Sequence, residues 1–151
     1  MAPAKTTQMK IRLEKYAALT SVLMLFALAG CQNGVDIDVA GQSGHPLFRF
    51  SNHNGGSRPC VTHVWVTKPD NTDHLSFMWS IDSGGQCVEL TALEYGVAPK
   101  NFLTQNAAKP LQDGVLYNIN ASGDGFTRDV MFKFSGGGYH MYSLEEGSKM
   151  R

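Results

Sequence analysis

The sequence after Gly30 predicts an all-β fold, a single antiparallel β-sandwich of about seven short strands. Apolar and polar residues alternate along several segments, which is the pattern of strands with one buried face. Clusters of glycine, proline, asparagine and aspartate separate these segments, as turns do. We find no convincing amphipathic helix after Gly30, and short strands with frequent turns are typical of a β-sandwich.

The predicted strands follow one another at short intervals. In segment 74–81 the alternation places Leu75, Phe77, Trp79 and Ile81 on one face and Ser76, Met78 and Ser80 on the other. Segment 60–67 is apolar on both faces, as a central strand can be. The other strands are predicted near residues 46–51, 86–92, 115–121, 128–134 and 139–144.

The first thirty residues have the layout of a secretory signal peptide. An apolar run, Ala17 to Gly30, follows a segment with four basic residues: Lys5, Lys10, Arg12 and Lys15. The run ends in Leu-Ala-Gly-Cys, which resembles a bacterial lipobox. In that family the cysteine receives a lipid and the chain is cut before it, so the resemblance implies a signal-peptide helix over 1–30 and lipid attachment at Cys31.

The alternative for this segment is an uncleaved transmembrane helix. Such a helix needs about 20 apolar residues, whereas Thr20 and Ser21 interrupt a run of only fourteen, 17 to 30. In lipoproteins the residue after the lipidated cysteine directs sorting, and Gln32 implies a periplasm-facing anchor in the outer membrane. The inner membrane and the cell surface are alternative locations. We expect residues 31–44 to form a flexible lipidated tether and 45–151 to form the sandwich domain.

The charge of the mature chain argues against nucleic acid as a partner. Residues 1–30 hold four of the thirteen basic residues and one of the thirteen acidic residues, so 9 basic and 12 acidic residues remain. The resulting net charge of about −3 lacks the basic stripe that nucleic acid requires.

Two cysteines, Cys60 and Cys87, remain once Cys31 is set aside. In an exported chain they are most simply explained as one disulfide. Such a disulfide would close the loop between residues 60 and 87, which would stabilise the fold by roughly 3–4 kcal/mol in the chain-entropy model. The alternative is two separate buried thiols.

The pattern Leu111-x-x-Gly114-x-x-Tyr117 resembles the tyrosine corner of fibronectin type III and other immunoglobulin-like domains. The resemblance implies that the Tyr117 hydroxyl bonds to upstream backbone and that the sandwich is of this kind. Asp113 departs from the family, which often has proline before the turn glycine. The alternative is an ordinary half-buried strand tyrosine. The longer stretch from Tyr95 to Tyr117 is also similar to a pattern in uncharacterised small bacterial lipoproteins.

Motifs of catalysis and metal binding are missing from the sequence. The five histidines have no zinc-site spacing, and no serine lies in a GxSxG elbow. We therefore predict no enzyme activity, no metal and no cofactor. His63, beside Trp65, is expected to be a surface or cross-strand packing residue.

A binding role is the more plausible expectation. Segment 136–142 joins three glycines to Tyr139, His140, Met141 and Tyr142, a composition found at recognition surfaces. We name Tyr139, His140 and Tyr142 as candidate binding residues, with the alternative that they only build the last strand. The loop 52–58 is a second candidate.

The sequence thus predicts a membrane-anchored periplasmic lipoprotein that acts as a non-enzymatic binding or envelope-assembly module. Its expected contacts are the membrane, through the lipid, and an envelope or toxin protein. Two alternatives stay open: an inhibitor or immunity protein against a toxin or lysozyme, and a cell-envelope enzyme.

Overall fold

Two antiparallel β-sheets form the fold in the computed structural model, which describes residues 34–53, 55–56, 58–69 and 75–149. The predicted signal peptide, Cys31 and Gln32 lie outside the described residues. Within those residues, no helix is long and apolar enough to cross a membrane.

The strands run in chain order as follows: β1 Val35–Gln42, β2 His45–Asn52, β3 Cys60–Pro69, β4 Leu75–Asp82, β5 Val88–Glu89, β6 Ala92–Glu94, β7 Leu103–Asn106, β8 Tyr117–Gly123, β9 Phe126–Ser135 and β10 Gly138–Tyr142. The described residues also form one short helix, α1, which spans Leu144–Ser148. Sheet A has the order β1-β2-β6, and sheet B has the order β10-β9-β8-β3-β4-β7, with β5 pairing to β3.

This arrangement confirms the predicted all-β sandwich. β1, β2 and β6 take the places of strands A, B and E of an immunoglobulin-like domain, and β3, β8 and β9 take those of C, F and G. The number of strands differs, because the described residues form ten strands where about seven were predicted. The difference comes from β1 and β7, which were not predicted, and from the predicted strand at 86–92, which is divided into β5 and β6.

The core lies between the two sheets and forms one hydrophobic cluster. Phe48 of sheet A meets Phe132 of sheet B edge to face, with ring centroids 5.6 Å apart. Trp79 and Ile119 contribute fully buried side chains from sheet B. Alternate residues of each central strand therefore supply the packing that holds the sheets together.

The prediction of a flexible tether over residues 31–44 is wrong for most of that segment, because residues 35–42 form β1. This strand pairs with β2 from Val35 opposite Asn52 to Gln42 opposite His45. Its alternate residues Val35, Ile37 and Val39 are buried. The domain thus begins about ten residues before the predicted boundary at 45, since the alternation Val-Asp-Ile-Asp-Val is itself a strand pattern.

A β-bulge overturns the predicted alternation of β4. Val66 lies opposite Trp79, but the next residue, Thr67, lies opposite Phe77, so Met78 is an extra residue. A bulge re-aims the side chains on either side of it. Phe77 is consequently 44% exposed while Met78 is buried.

The chain end also differs from the prediction. The last strand stops at Tyr142 instead of continuing to 144. A short helix follows, although none was expected after Gly30. Ser143 and Glu146 form a capping box, in which each side chain bonds to the backbone N–H of the other residue. These bonds from Ser143 lower the pKa of Glu146.

Two sequence predictions near the core are confirmed. The backbone N–H of Gln112 donates a hydrogen bond to the Tyr117 hydroxyl at 2.9 Å, which is the bond of a tyrosine corner. Asp113, which replaces the usual proline, accepts a hydrogen bond from Ser43 and so ties the β1–β2 turn to this corner. Cys60 and Cys87 form a disulfide, with their Cα atoms 5.0 Å apart.

Candidate functional site: the outer face of strands β3, β4 and β7

The side of sheet B that points away from the core carries a mixed aromatic and polar surface at β3, β4 and β7. Two cross-strand rows define it. One row runs from His63 through Asp82 to Leu103, and the other from Trp65 through Ser80 to Asn106. Phe77 lies beyond them, opposite Thr67. We call these seven residues (His63, Trp65, Phe77, Ser80, Asp82, Leu103 and Asn106) the β3–β4–β7 face.

Large apolar side chains on this face are open to solvent. Leu103 is 69% exposed and Phe77 is 44% exposed, and Trp65 is half-buried. In the part of the chain that the structure describes, only Val97 and Met141 are comparable exposed large hydrophobic residues. Clustered apolar exposure marks interaction surfaces, whereas single exposed residues are ordinary.

A shallow hollow of about 260 Å³ lies on the face, lined by His63, Trp65, Phe77 and Asp82 among others. Two larger hollows lie elsewhere. One, of about 480 Å³, is beside Tyr95 and Lys109, and the other, of about 380 Å³, is beside Arg128. Small-molecule sites usually occupy about 300–1,000 Å³. The hollow on the β3–β4–β7 face is better suited to one or two side chains of a partner than to an enclosed ligand.

The polar groups of the face already bond to one another. His63 Nε2 lies 2.8 Å from Asp82 Oδ2, and His63 Nδ1 lies 3.3 Å from Thr62 Oγ1. The Thr62 hydroxyl donates its hydrogen to the Ser122 carbonyl at 3.1 Å. The carboxylate can only accept, so the Nε2–H of His63 donates to Asp82. Both ring nitrogens of His63 therefore have a partner within the fold.

Three β-bulges surround the β3–β4–β7 face. The extra residue is Thr62 where β3 meets β8, Met78 where β4 meets β3, and Gln105 where β7 meets β4. The first bulge explains how the neighbouring side chains of Thr62 and His63 come together. Bulges are concentrated at sheet edges and functional sites, where they re-aim side chains.

The three binding residues predicted from the sequence do not form one surface. The ring of Tyr139 packs against Phe132 and Phe134, with centroids 5.9 and 5.0 Å away, and its hydroxyl donates to the Gln42 carbonyl at 2.9 Å. Burial, followed by the nearby Asp113 carboxylate, raises the pKa of Tyr139 to about 12. Tyr139 is therefore a structural link from β10 to β1.

His140 and Tyr142 lie on the opposite side of β10 from Tyr139, since side chains alternate along a strand. One ring nitrogen of His140 lies 3.0 Å from the Ser135 carbonyl, and Lys133 Nζ sits 5.6 Å from the Tyr142 ring centroid. The second predicted candidate, the loop 52–58, is described only in part. His53 at its start pairs with Asp36 at 3.0 Å.

Sequence reasoning missed the β3–β4–β7 face for identifiable reasons. Phe77 was expected on the same face as Trp79, and only the bulge at Met78 changes its direction. β7 was not predicted, because Leu-Thr-Gln-Asn has no alternation to mark it as a strand. The sequence did contain one signal for this face. Trp65 and His63 lie on the same side of a strand whose other side is already apolar. His63 itself lies in a cross-strand pair, as predicted.

Metal ligands are not gathered at this face or elsewhere in the described ranges, where His, Cys, Asp and Glu form no group of three that could hold an ion. The comparisons with known proteins add no family: no family model, curated protein or solved structure matches this sequence.

Proposed function

We propose that this protein is a lipid-anchored, non-enzymatic binding module of the bacterial envelope that engages a partner protein through the β3–β4–β7 face. The observation that carries the proposal is the exposure of Phe77 at one end and of Leu103 at the other end of one sheet surface, with the half-buried Trp65 in the row between them. The centres of protein interfaces are rich in aromatic side chains and poor in charge. The only ionisable side chains of the face, His63 and Asp82, bond to each other.

The bonding of the candidate reactive groups favours binding over catalysis. A general base must lie within hydrogen-bonding reach of the proton that it takes from its substrate. Both nitrogens of His63 are engaged, and Cys60 and Cys87 are joined in a disulfide. A flat sheet surface with a shallow hollow suits a protein surface better than a small substrate.

Membrane attachment through Cys31 is part of the same proposal and rests on the lipobox pattern of residues 28–31. Lipid anchoring raises the local concentration of the domain at the membrane, so a weak contact with a partner in that membrane becomes sufficient. The expected signature is incorporation of labelled palmitate into the wild-type chain and none into Cys31→Ser.

Site-specific photocrosslinking in bacterial cells tests the binding face. A photoreactive phenylalanine analogue replaces Phe77 in the full-length protein, and the same analogue at Met141 provides the control. These two positions are matched in exposure, at 44% and 46%, but lie on different strands. We expect a discrete crosslinked partner from position 77 that Leu103→Ala weakens, and none from position 141. Equal crosslinking at both positions, or a product that Leu103→Ala leaves unchanged, would overturn the proposal.

A further inference from the structure

We infer that β7 is a docking edge for an extended, uncharged polypeptide segment, which pairs with it as an added strand of sheet B. This inference rests on the proposed binding role of the β3–β4–β7 face and specifies how the partner is recognised. In this mode the main chain supplies hydrogen bonds, and alternate side chains supply specificity.

The anatomy of β7 is that of an open edge. It is the terminal strand of sheet B and pairs with β4 on one side. All four of its residues are exposed. Natural edge strands are commonly protected by charged residues, especially lysine, or by proline. β7 has neither, since its sequence is Leu-Thr-Gln-Asn.

The opposite edge of sheet B provides the contrast. There β10 lies beside β1, and the Tyr139 hydroxyl of β10 donates to the Gln42 carbonyl of β1. The short helix α1 follows directly and packs against β9 and β10. One edge of the sheet is thus covered by the chain itself, whereas among the described residues no strand pairs with the other side of β7.

The chemistry of the occupant follows from the residues that it would meet. An added strand continues the row of His63, Asp82 and Leu103, and side chains directly opposite one another in a sheet lie about 4.5–5.5 Å apart. An apolar side chain opposite Leu103 would cover its exposed surface. In this row a charged side chain would meet Asp82, which already bonds to His63.

A second copy of this chain is a weaker candidate for the occupant. Four strand residues extend over only about 14 Å, whereas a stable dimer usually buries about 800 Å² on each partner. Pairing of β7 with β7 alone is too short to reach that area. A linear segment needs no such area, because membrane tethering compensates for weak affinity.

The test selects peptides from a phage-displayed library of random dodecapeptides on the full-length protein in detergent. The most enriched peptide is then synthesised, and its affinity and its effect on amide hydrogen exchange are measured. We expect enriched peptides to be uncharged and apolar at alternate positions. We also expect exchange at Leu103–Asn106 to slow when the peptide binds.

Gln105→Lys places a natural edge-protecting charge on β7, and Gln112→Lys makes the same change at an exposed position outside β7. Gln105→Lys should weaken peptide binding about tenfold, the effect of losing one or two hydrogen bonds. Gln112→Lys should leave binding unchanged. Failure to enrich peptides, unchanged exchange in β7, or equal effects of the two lysine variants would overturn the inference.

The same variants separate this inference from the proposed function. If Leu103→Ala abolishes crosslinking from position 77 and Gln105→Lys does not, the result supports the proposed binding face and refutes strand pairing at β7. If neither variant affects crosslinking, both proposals fall.

Discussion

Replacing Ile37 by alanine tests whether residues 35–42 are an integral strand of the sandwich. Ile37 is 5% exposed and lies opposite Phe50 in the β1–β2 pairing. Truncating a buried isoleucine to alanine costs about 2–5 kcal/mol, and at an edge strand, where neighbours can partly close the gap, we expect about 3 kcal/mol. That is a large share of the roughly 5–15 kcal/mol that holds a typical domain folded.

Urea unfolding followed by tryptophan fluorescence is the appropriate assay, because Trp79 is fully buried and will report loss of the core. The melting temperature should also fall, by roughly 10 °C for a domain of this size. Asp38→Ala is the control. The side chain of Asp38 is exposed and lies 4.0 Å from Arg49, in a surface pair that contributes about 0–1 kcal/mol.

A flexible tether would behave differently. If Ile37→Ala stayed within about 0.5 kcal/mol of the wild type, the range of an ordinary surface substitution, β1 would not be part of the stable fold. Equal losses in Ile37→Ala and Asp38→Ala would also contradict the strand, since only one of these side chains is buried.

Three further outcomes are expected. Replacing Cys60 and Cys87 together by serine should lower the free energy of unfolding by roughly 3–4 kcal/mol, the chain-entropy value for a separation of 27 residues; unchanged stability in non-reducing urea titrations would contradict it. Tyr117→Phe keeps the ring but removes the acceptor of the Gln112 N–H, so it should cost about 1 kcal/mol in the same titration. Burial raises the pKa of Tyr95 and Tyr139 from 10.0 to about 12. The neutral phenols therefore contribute stability that is complete below pH 10 and declines as the pH rises towards 12. Stability measured across this range should fall, and less steeply in Tyr95→Phe; a flat profile would refute the linkage.

The parts of the fold that the sequence predicted well are those with local signatures. Residues 115–121 alternate cleanly and overlap most of β8, and the resemblance of Leu111-x-x-Gly114-x-x-Tyr117 to the tyrosine corner implied the corner bond. The disulfide followed from the count of cysteines in a chain that we predicted to be exported. In each case a few neighbouring residues, or a simple count, carry the whole signal.

The parts that were missed depend on residues distant in the chain. Whether Phe77 faces the core or the solvent is decided by its register against Thr67, which no alternation in β4 reveals. β7 is a strand because β4 offers it a partner, and not because of its own composition. The candidate site combines both features, so it could not be found before the sheet was assembled.

The early start of β1 limits the position of the domain in the proposed mature protein. Three residues, 32–34, separate Cys31 from Val35, and a fully extended chain of this length spans at most about 14 Å. With an acyl group at Cys31, this short connection would hold the Val35 end of the sandwich close to the lipid headgroups. Backbone hydrogen bonds join Phe50, near the Val35 end of sheet A, to Thr91, and join Leu90 to Pro59 at the start of β3. Asp82 lies opposite His63 near that start, so Leu103 would be nearer to the bilayer than Phe77. Proteins in or on the same membrane, approaching from the side, would then be the natural partners for this surface.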